Sequence, residues 1–118
     1  MNPIHHAIDY VEFAAPDLEA STRFYAEVFG WAFNDYGPDY AGIRASAGEG
    51  EVGGLNPHAV AGSGTPLVIV YSEDLDATLA AVRAAGGRIT EEPYAFPGGR
   101  RFHFVDPGGN ELAVWAAQ

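Results

Sequence analysis

The sequence predicts an α+β protein built from tandem βαβββ repeats, whose strands make an open, curved, mixed-sheet cup. Three observations predict it. A strand–cap–helix–stop pattern occurs twice, three short strand segments follow each helix, and the two copies stay in phase at one offset. A chain of 118 residues suits one domain, 1–118, with repeat one over about 5–56 and repeat two over about 66–118.

The first strand signal is 8–13, and Asp17 follows it as a helix N-cap. A carboxylate there accepts from backbone N–H groups that the first turn leaves free. Leu18, Phe24, Tyr25, Val28 and Phe29 recur at helical spacing as an apolar stripe, and Gly30 ends the helix because glycine tolerates positive φ. Glycine and proline then break 31–36, 40–47 and 51–55 into short strands. Residues 56–66 read as a linker. The pattern restarts with an apolar strand at 67–71, Asp74 as cap, and Leu75, Leu79 and Val82 at helical spacing before Gly86-Gly87. Further strands are expected at 88–94, 100–105 and 111–116, the last two joined by the turn Asp106-Pro107-Gly108-Gly109-Asn110. Residues 93–99 fit either a flexible flap or a hairpin loop. The offset is 57 residues, from Asp17 to Asp74, and it also matches Val11 with Val68, Leu18 with Leu75, Ala20 with Ala77, Ser21 with Thr78 and Gly30 with Gly87.

A net charge of −10 argues against nucleic acid and anionic membranes, both of which attract Lys and Arg. No apolar run approaches the roughly 18 residues of a membrane span, and the first residues lack a basic-then-apolar leader. A cytoplasmic protein is expected. With no cysteine, disulfides and thiolate metal sites are excluded. Nucleophile elbows and phosphate loops are missing from the sequence too, and Gly62-Ser63-Gly64 lies in the linker rather than in a strand–turn–helix context.

Three segments carry a resemblance: Asp17 through Tyr25 running into Val28-Phe29-Gly30-Trp31, Glu73 through Thr78, and Phe104 through Asn110. Together they resemble the vicinal-oxygen-chelate superfamily, the glyoxalase/bleomycin resistance protein/dioxygenase family. The likeness spans nearly the whole chain, and it is similar to single-module proteins labelled as lactoylglutathione lyases. It implies a metal held on the concave face by one residue from the first and one from the last strand of each repeat. Carried over, the first-strand positions are Tyr10 and Leu67, seven residues before Asp17 and Asp74. The last-strand position is Ala113, seven residues after Asp106, and its counterpart falls near Gly53. A divalent ion wants His nitrogen or carboxylate oxygen, so no metal and no cofactor are expected. His5, His6, His58 and His103 read as surface or hydrogen-bonded residues. Adjacent His5 and His6 point to opposite faces if extended. A non-standard metal site through His5, His6 or His103 is the alternative.

Alternation along strands extends these positions into a face. With Tyr10 inward, Ile8 and Glu12 are inward, while Val11 and Phe13 pack on the helix. Leu67, Ile69, Tyr71, Glu111, Ala113 and Trp115 are expected inward, with Val68, Val70, Leu112 and Val114 against the second helix. Phe102 and Phe104 take the helix side, which leaves Arg101 and His103 inward. The expected ligand-binding set is Tyr10, Glu12, Leu67, Tyr71, His103, Ala113 and Trp115, with Tyr40 and Tyr94 near the mouth. Aromatics with a few polar handles suit a pocket for a small organic molecule, although a dimer interface is lined the same way. Glu12 is the candidate catalytic residue, as a desolvated general base; the other reading is a salt-bridged or solvated rim residue. The expectation is a metal-free, small-molecule-binding homodimer, since an open concave sheet leaves surface uncovered. If the chain is an enzyme, the resemblance implies a glyoxalase-like lyase or isomerase. Metal-free acid–base chemistry through Glu12 with Tyr10 or His103, and an interaction domain whose cup a partner fills, are the remaining readings.

Overall fold

The computed structural model describes residues 3–117. The chain forms two compact units, one of residues 10–66 and one running from Leu67 onward together with the N-terminal stretch through Asp9. The first repeat was expected to begin near residue 5, but the opening residues cluster with the second unit. Their hydrogen bonds explain this. His6 N–H donates to the Tyr71 carbonyl at 2.7 Å, and Tyr71 N–H donates to Ala7 at 3.2 Å. Glu73 N–H donates to His5 Nδ1 at 2.9 Å.

The first unit carries β1 (Ile8–Ala14), α1 (Leu18–Phe29), β2 (Phe33–Asp35), β3 (Ala41–Arg44) and β4 (Glu51–Asn56), though β1's first two residues belong to the other cluster. Its strand order is β2-β3-β4-β1. The β1–β4 pair is parallel and the others are antiparallel. The second unit carries β5 (Leu67–Tyr71), α2 (Leu75–Ala84), β6 (Arg88–Phe96), β7 (Gly99–Val105) and β8 (Glu111–Ala116). Its order is β5-β8-β7-β6, again with first and last strands parallel. Both units are therefore βαβββ motifs with mixed pairing, the α+β arrangement that the sequence repeat predicts.

Both helices start at the expected aspartates. The Asp17 carboxylate accepts from Ala20 N–H at 3.0 Å, and that of Asp74 accepts from Ala77 N–H at 3.1 Å. Their ends differ. Gly30 closes α1 at φ 71°, with its N–H on the Ala26 carbonyl. In α2 it is Gly86, not the aligned Gly87, that takes the left-handed conformation, at φ 94°. Gly86 N–H bonds to Arg83 and Gly87 N–H to Val82. This paired closure is a Schellman turn, which uses up two orphan carbonyls; relative to the repeat offset the left-handed glycine comes one residue early and α2 ends two residues early.

Under α1, Ala15, Ala41, Ile43 and Leu55 are buried with Phe13, Leu18, Tyr25, Trp31 and Phe33 around them. Under α2, the buried set is Leu75, Phe102, Val114 and Ala116, with Val70, Leu79, Val82, Ile89 and Phe104. Of the positions expected to face the helices, Phe13, Val70, Phe102, Phe104 and Val114 pack in these clusters. Most of the α1 stripe does not. Phe24, Val28 and Phe29 stay 56%, 54% and 61% exposed, because the helix rests on the sheet through Leu18 and Tyr25. Residues 93–99 form a hairpin and no flap: β6 continues to Phe96, which pairs with Gly99. Among the described residues no helix is long and apolar enough to cross a membrane.

Candidate functional site

In the first unit the sheet face turned away from α1 is built on glycine. Glu12 pairs with Gly54, and Gly54 with Gly42, so two side-chain-free positions lie next to a carboxylate. A Cβ at Gly54 would overlap the Tyr40 hydroxyl, and one at Gly42 would overlap the Glu51 carboxylate. The phenol and the carboxylate therefore lie flat on the strands. Tyr40 Oη donates to Glu12 Oε2 at 2.9 Å and shares a 3.0 Å hydrogen bond with Tyr10 Oη. Tyr36 Oη donates to Glu51 Oε2 at 2.7 Å, while Glu51 Oε1 is buried with no hydrogen-bond partner among the described residues. Glu12 is only 6% exposed. Burial, then the charge of Glu12, pushes the Tyr40 phenol far above its ordinary value. Burial first, and the carboxylates of Glu51 and Glu12 after it, do the same to Tyr10. These phenols are neutral hydrogen-bonding groups across the physiological range.

Three expectations are corrected here. Gly53 pairs with Val11, and a side chain there would meet Ile43 and the Val11 carbonyl, on the α1 side. The outward position of β4 is Gly54, and a bulge that skips Val52 turns Glu51 onto the same face. Tyr40, expected at a mouth, is instead a half-buried member of the cluster. Ile8, expected inward, is 73% exposed. A surface depression lined by Leu18, Glu19, Phe33 and Pro38 among others opens beside α1 and away from this chemistry.

The second unit presents rings. Trp115 meets Tyr71 edge to face, with centroids 5.0 Å apart, and Phe96 lies 6.1 Å from the indole. Trp115 Nε1 donates to Asp9 at 3.0 Å, which fixes the ring plane. The β7–β8 register sets Arg101 beside Trp115 and His103 beside Ala113. His103 Nδ1 lies 3.3 Å from Glu111 Oε2, and Nε2 lies 2.9 Å from Tyr94 Oη. A carboxylate only accepts, so Nδ1 carries the proton and bare Nε2 accepts from Tyr94. Arg101 Nε donates to the same phenol oxygen, its guanidinium 5.6 Å from the ring centroid. Burial first, then the neighbouring Arg101, holds the imidazole below its ordinary 6.5. Leu67, Ile69 and Ala113 are buried on this face.

The other histidines make local contacts. His58 bonds Asp39 at 2.9 Å, and His6 bonds Thr78 at 3.1 Å. His5 and His6 do not diverge as an extended chain would require: His6 takes φ 62°, and the two rings stack with centroids 3.7 Å apart. The family-implied metal does not fit these residues. Leu67, Ala113 and either glycine of β4 offer no side-chain donor, and Tyr10 is a neutral phenol already bonded to Tyr40. Among the described residues no three His, Asp or Glu side chains gather as a ligand set.

Sequence reasoning missed Glu51, Tyr36, Asp9 and Phe96. The bulge hides Glu51, and Asp9 is called in by the N-terminal stretch joining the second unit. Strand parity did carry a signal for Tyr40 and Gly42, which share one face.

A repeated βαβββ motif, each with first and last strands parallel, defines a protein of paired-module α+β architecture. The chain belongs to the Glyoxalase/Bleomycin resistance protein/Dioxygenase superfamily, whose family model matches residues 7–114. It is 30% identical over 124 residues to the anthracycline biosynthesis protein DnrV of Streptomyces peucetius, covering 90% of this chain and 45% of that protein. The chain thus spans about half the length of that relative. The Mn(II)-bound glyoxalase of Novosphingobium aromaticivorans is 27% identical with a TM-score of 0.70, covering 99% of this chain and 40% of that one. Methylmalonyl-CoA epimerase of Streptomyces coelicolor shares the fold at 18% identity, with a TM-score of 0.73 over 97% of this chain and 99% of the other.

Proposed function

We propose that this chain is a metal-independent, small-molecule-binding domain of the superfamily that holds a flat aromatic ligand on the Tyr71–Trp115–Phe96 face. One observation carries the reading. The indole of Trp115 is immobilised by Asp9 and flanked by two more rings, so a stacking surface exists before any ligand arrives. A rigid aromatic loses little entropy on binding and contributes large apolar area. His103 and Arg101 border that surface with polar groups. The contact set on this unit is Leu67, Tyr71, His103, Ala113 and Trp115. The likeness to an anthracycline biosynthesis protein supports a planar, fused-ring ligand, since anthracyclines are planar fused-ring molecules. The functional form in this reading is a cytoplasmic homodimer, whose assembly light scattering of the purified protein tests directly.

Titration with doxorubicin, followed calorimetrically, tests the ligand class. Trp115→Ala is expected to weaken binding at least about tenfold, or about 1.4 kcal/mol, with a smaller change in melting temperature than in affinity. The surface variant Arg23→Ala is the control. An equal loss in that control removes Trp115 from the site. Stoichiometric Mn, Ni or Zn in the purified protein, held by its side chains, removes the metal-independent reading. A second reading, acid–base catalysis, is favoured by the hydrogen-bonded chain from Glu111 through His103 to Tyr94.

A further inference from the structure

We infer that Tyr94 is a catalytic acid–base group whose proton is relayed to His103, and that the aromatic face therefore deprotonates a carbon acid instead of merely holding it. The inference rests on the ligand-binding reading above and adds chemistry to it. Glu111 accepts from His103 Nδ1–H, and the Thr90 hydroxyl donates to the same carboxylate oxygen at 3.4 Å, which orients it. With one nitrogen so occupied, the imidazole has a single tautomer, and its bare Nε2 receives the Tyr94 proton. The phenol oxygen accepts from Arg101, so negative charge that forms on it meets a cation. Tyr94 is 36% exposed and can reach a ligand, whereas His103 is nearly enclosed, with 12% of its side chain accessible. The exposed phenol is the contact group; His103, Glu111 and Arg101 are positioning residues. By contrast, the phenols of Tyr10 and Tyr40 donate to or share with one another and Glu12, and no imidazole receives a proton from them.

The substrate class follows from the groups present. It is a ketone whose acidic C–H lies between an aromatic ring and the carbonyl, the ring lying on Trp115 and the carbonyl oxygen near Arg101. In the forward step the Tyr94 hydroxyl proton passes to His103 Nε2, and the phenol oxygen takes the substrate's C–H proton. The C–H electron pair moves into the enolate, whose oxygen keeps the negative charge. Neutral substrate and neutral relay become enolate and imidazolium, the latter paired with Glu111. Return of the proton to the same or a neighbouring carbon regenerates the relay, so exchange or isomerisation results with no oxidant, reductant or metal.

The probe is 2-tetralone, a fused bicycle whose methylene between ring and carbonyl is acidic. Its binding is measured by calorimetry, and its hydrogen–deuterium exchange in D2O by proton NMR. Wild-type protein is expected to speed exchange at least about tenfold over buffer, with the rate rising as pH increases through the lowered His103 range and levelling off by neutrality. Tyr94→Phe is expected to abolish the acceleration while keeping probe affinity within about twofold. Glu111→Gln is expected to move the pH profile, a change that loss of packing alone does not produce. Far-ultraviolet circular dichroism checks that each variant folds. Binding without accelerated exchange overturns the relay and leaves the binding reading intact. Accelerated exchange that survives Tyr94→Phe also overturns it. No binding of 2-tetralone overturns both for this substrate class.

Discussion

The two units share a topology and differ in what the outer sheet face does with its tyrosines. In the first, Tyr10 and Tyr40 close on each other and on buried Glu12 above a glycine floor, so their hydrogen-bonding capacity is spent internally. In the second, Tyr94 stands at the end of a carboxylate–imidazole chain and is itself 36% exposed. The difference teaches that a repeated scaffold fixes where a phenol sits, while the partners of that phenol decide whether it is structural or chemical. Glycine is what permits the first arrangement: no L side chain leaves room for a ring and a carboxylate to lie on the backbone.

The largest expected effect separates the two cores. Phe102→Ala empties a fully buried site under α2 and is expected to cost about 3–5 kcal/mol, read by urea unfolding. Leu55→Ala, also fully buried, is expected near about 2 kcal/mol, because α1 itself buries no residue completely. A larger loss from Leu55→Ala reverses the ranking of the two cores.

The next effect tests the phenols. Tyr40→Phe removes a donor to the buried Glu12 carboxylate and is expected to cost about 1–3 kcal/mol. Tyr94→Phe, at a residue 36% exposed, is expected to cost less than about 1 kcal/mol. Equal costs in the same denaturant series erase the distinction between structural and chemical tyrosines.

The smallest effect is in pH dependence, and it has opposite signs in the two units. Tyr10 and Tyr40 give up protons less readily folded than unfolded, so the unfolded chain gains stability by ionising first, from the ordinary phenol value of 10.0 upward. Stability therefore falls as pH climbs above 10.0, and Tyr40→Phe flattens that limb. His103 binds its proton less readily folded than unfolded. Its contribution is present above 6.5 and is lost as pH falls from there through the lowered folded value. His103→Gln flattens the acid limb between pH 7 and 5. A limb unchanged in either variant assigns the dependence to other groups.

Much of the second unit was legible in the sequence. The apolar run at 67–71 and the alternation in 111–116 put Val70 and Val114 under α2 and Tyr71 with Trp115 on the other face, as found. Less of the first unit was, because short glycine-rich strands carry little alternation and β4 contains a bulge. The near-miss at Gly53 is a one-residue slip, and in a strand one residue exchanges the faces.

Local chemistry in the sequence determined the strands, both aspartate caps, the glycine helix stops to within one residue, and membership of a repeated βαβββ family. These depend on neighbours a few positions apart, whose geometry the backbone alone dictates. Only the tertiary structure decided that residues before β1 join the second unit, that Glu51 turns onto the glycine floor, and that Tyr94, His103 and Glu111 line up on three different strands. Such contacts rest on strand register and bulges, where a shift of one residue moves a side chain through the sheet, and no short-range pattern encodes that shift.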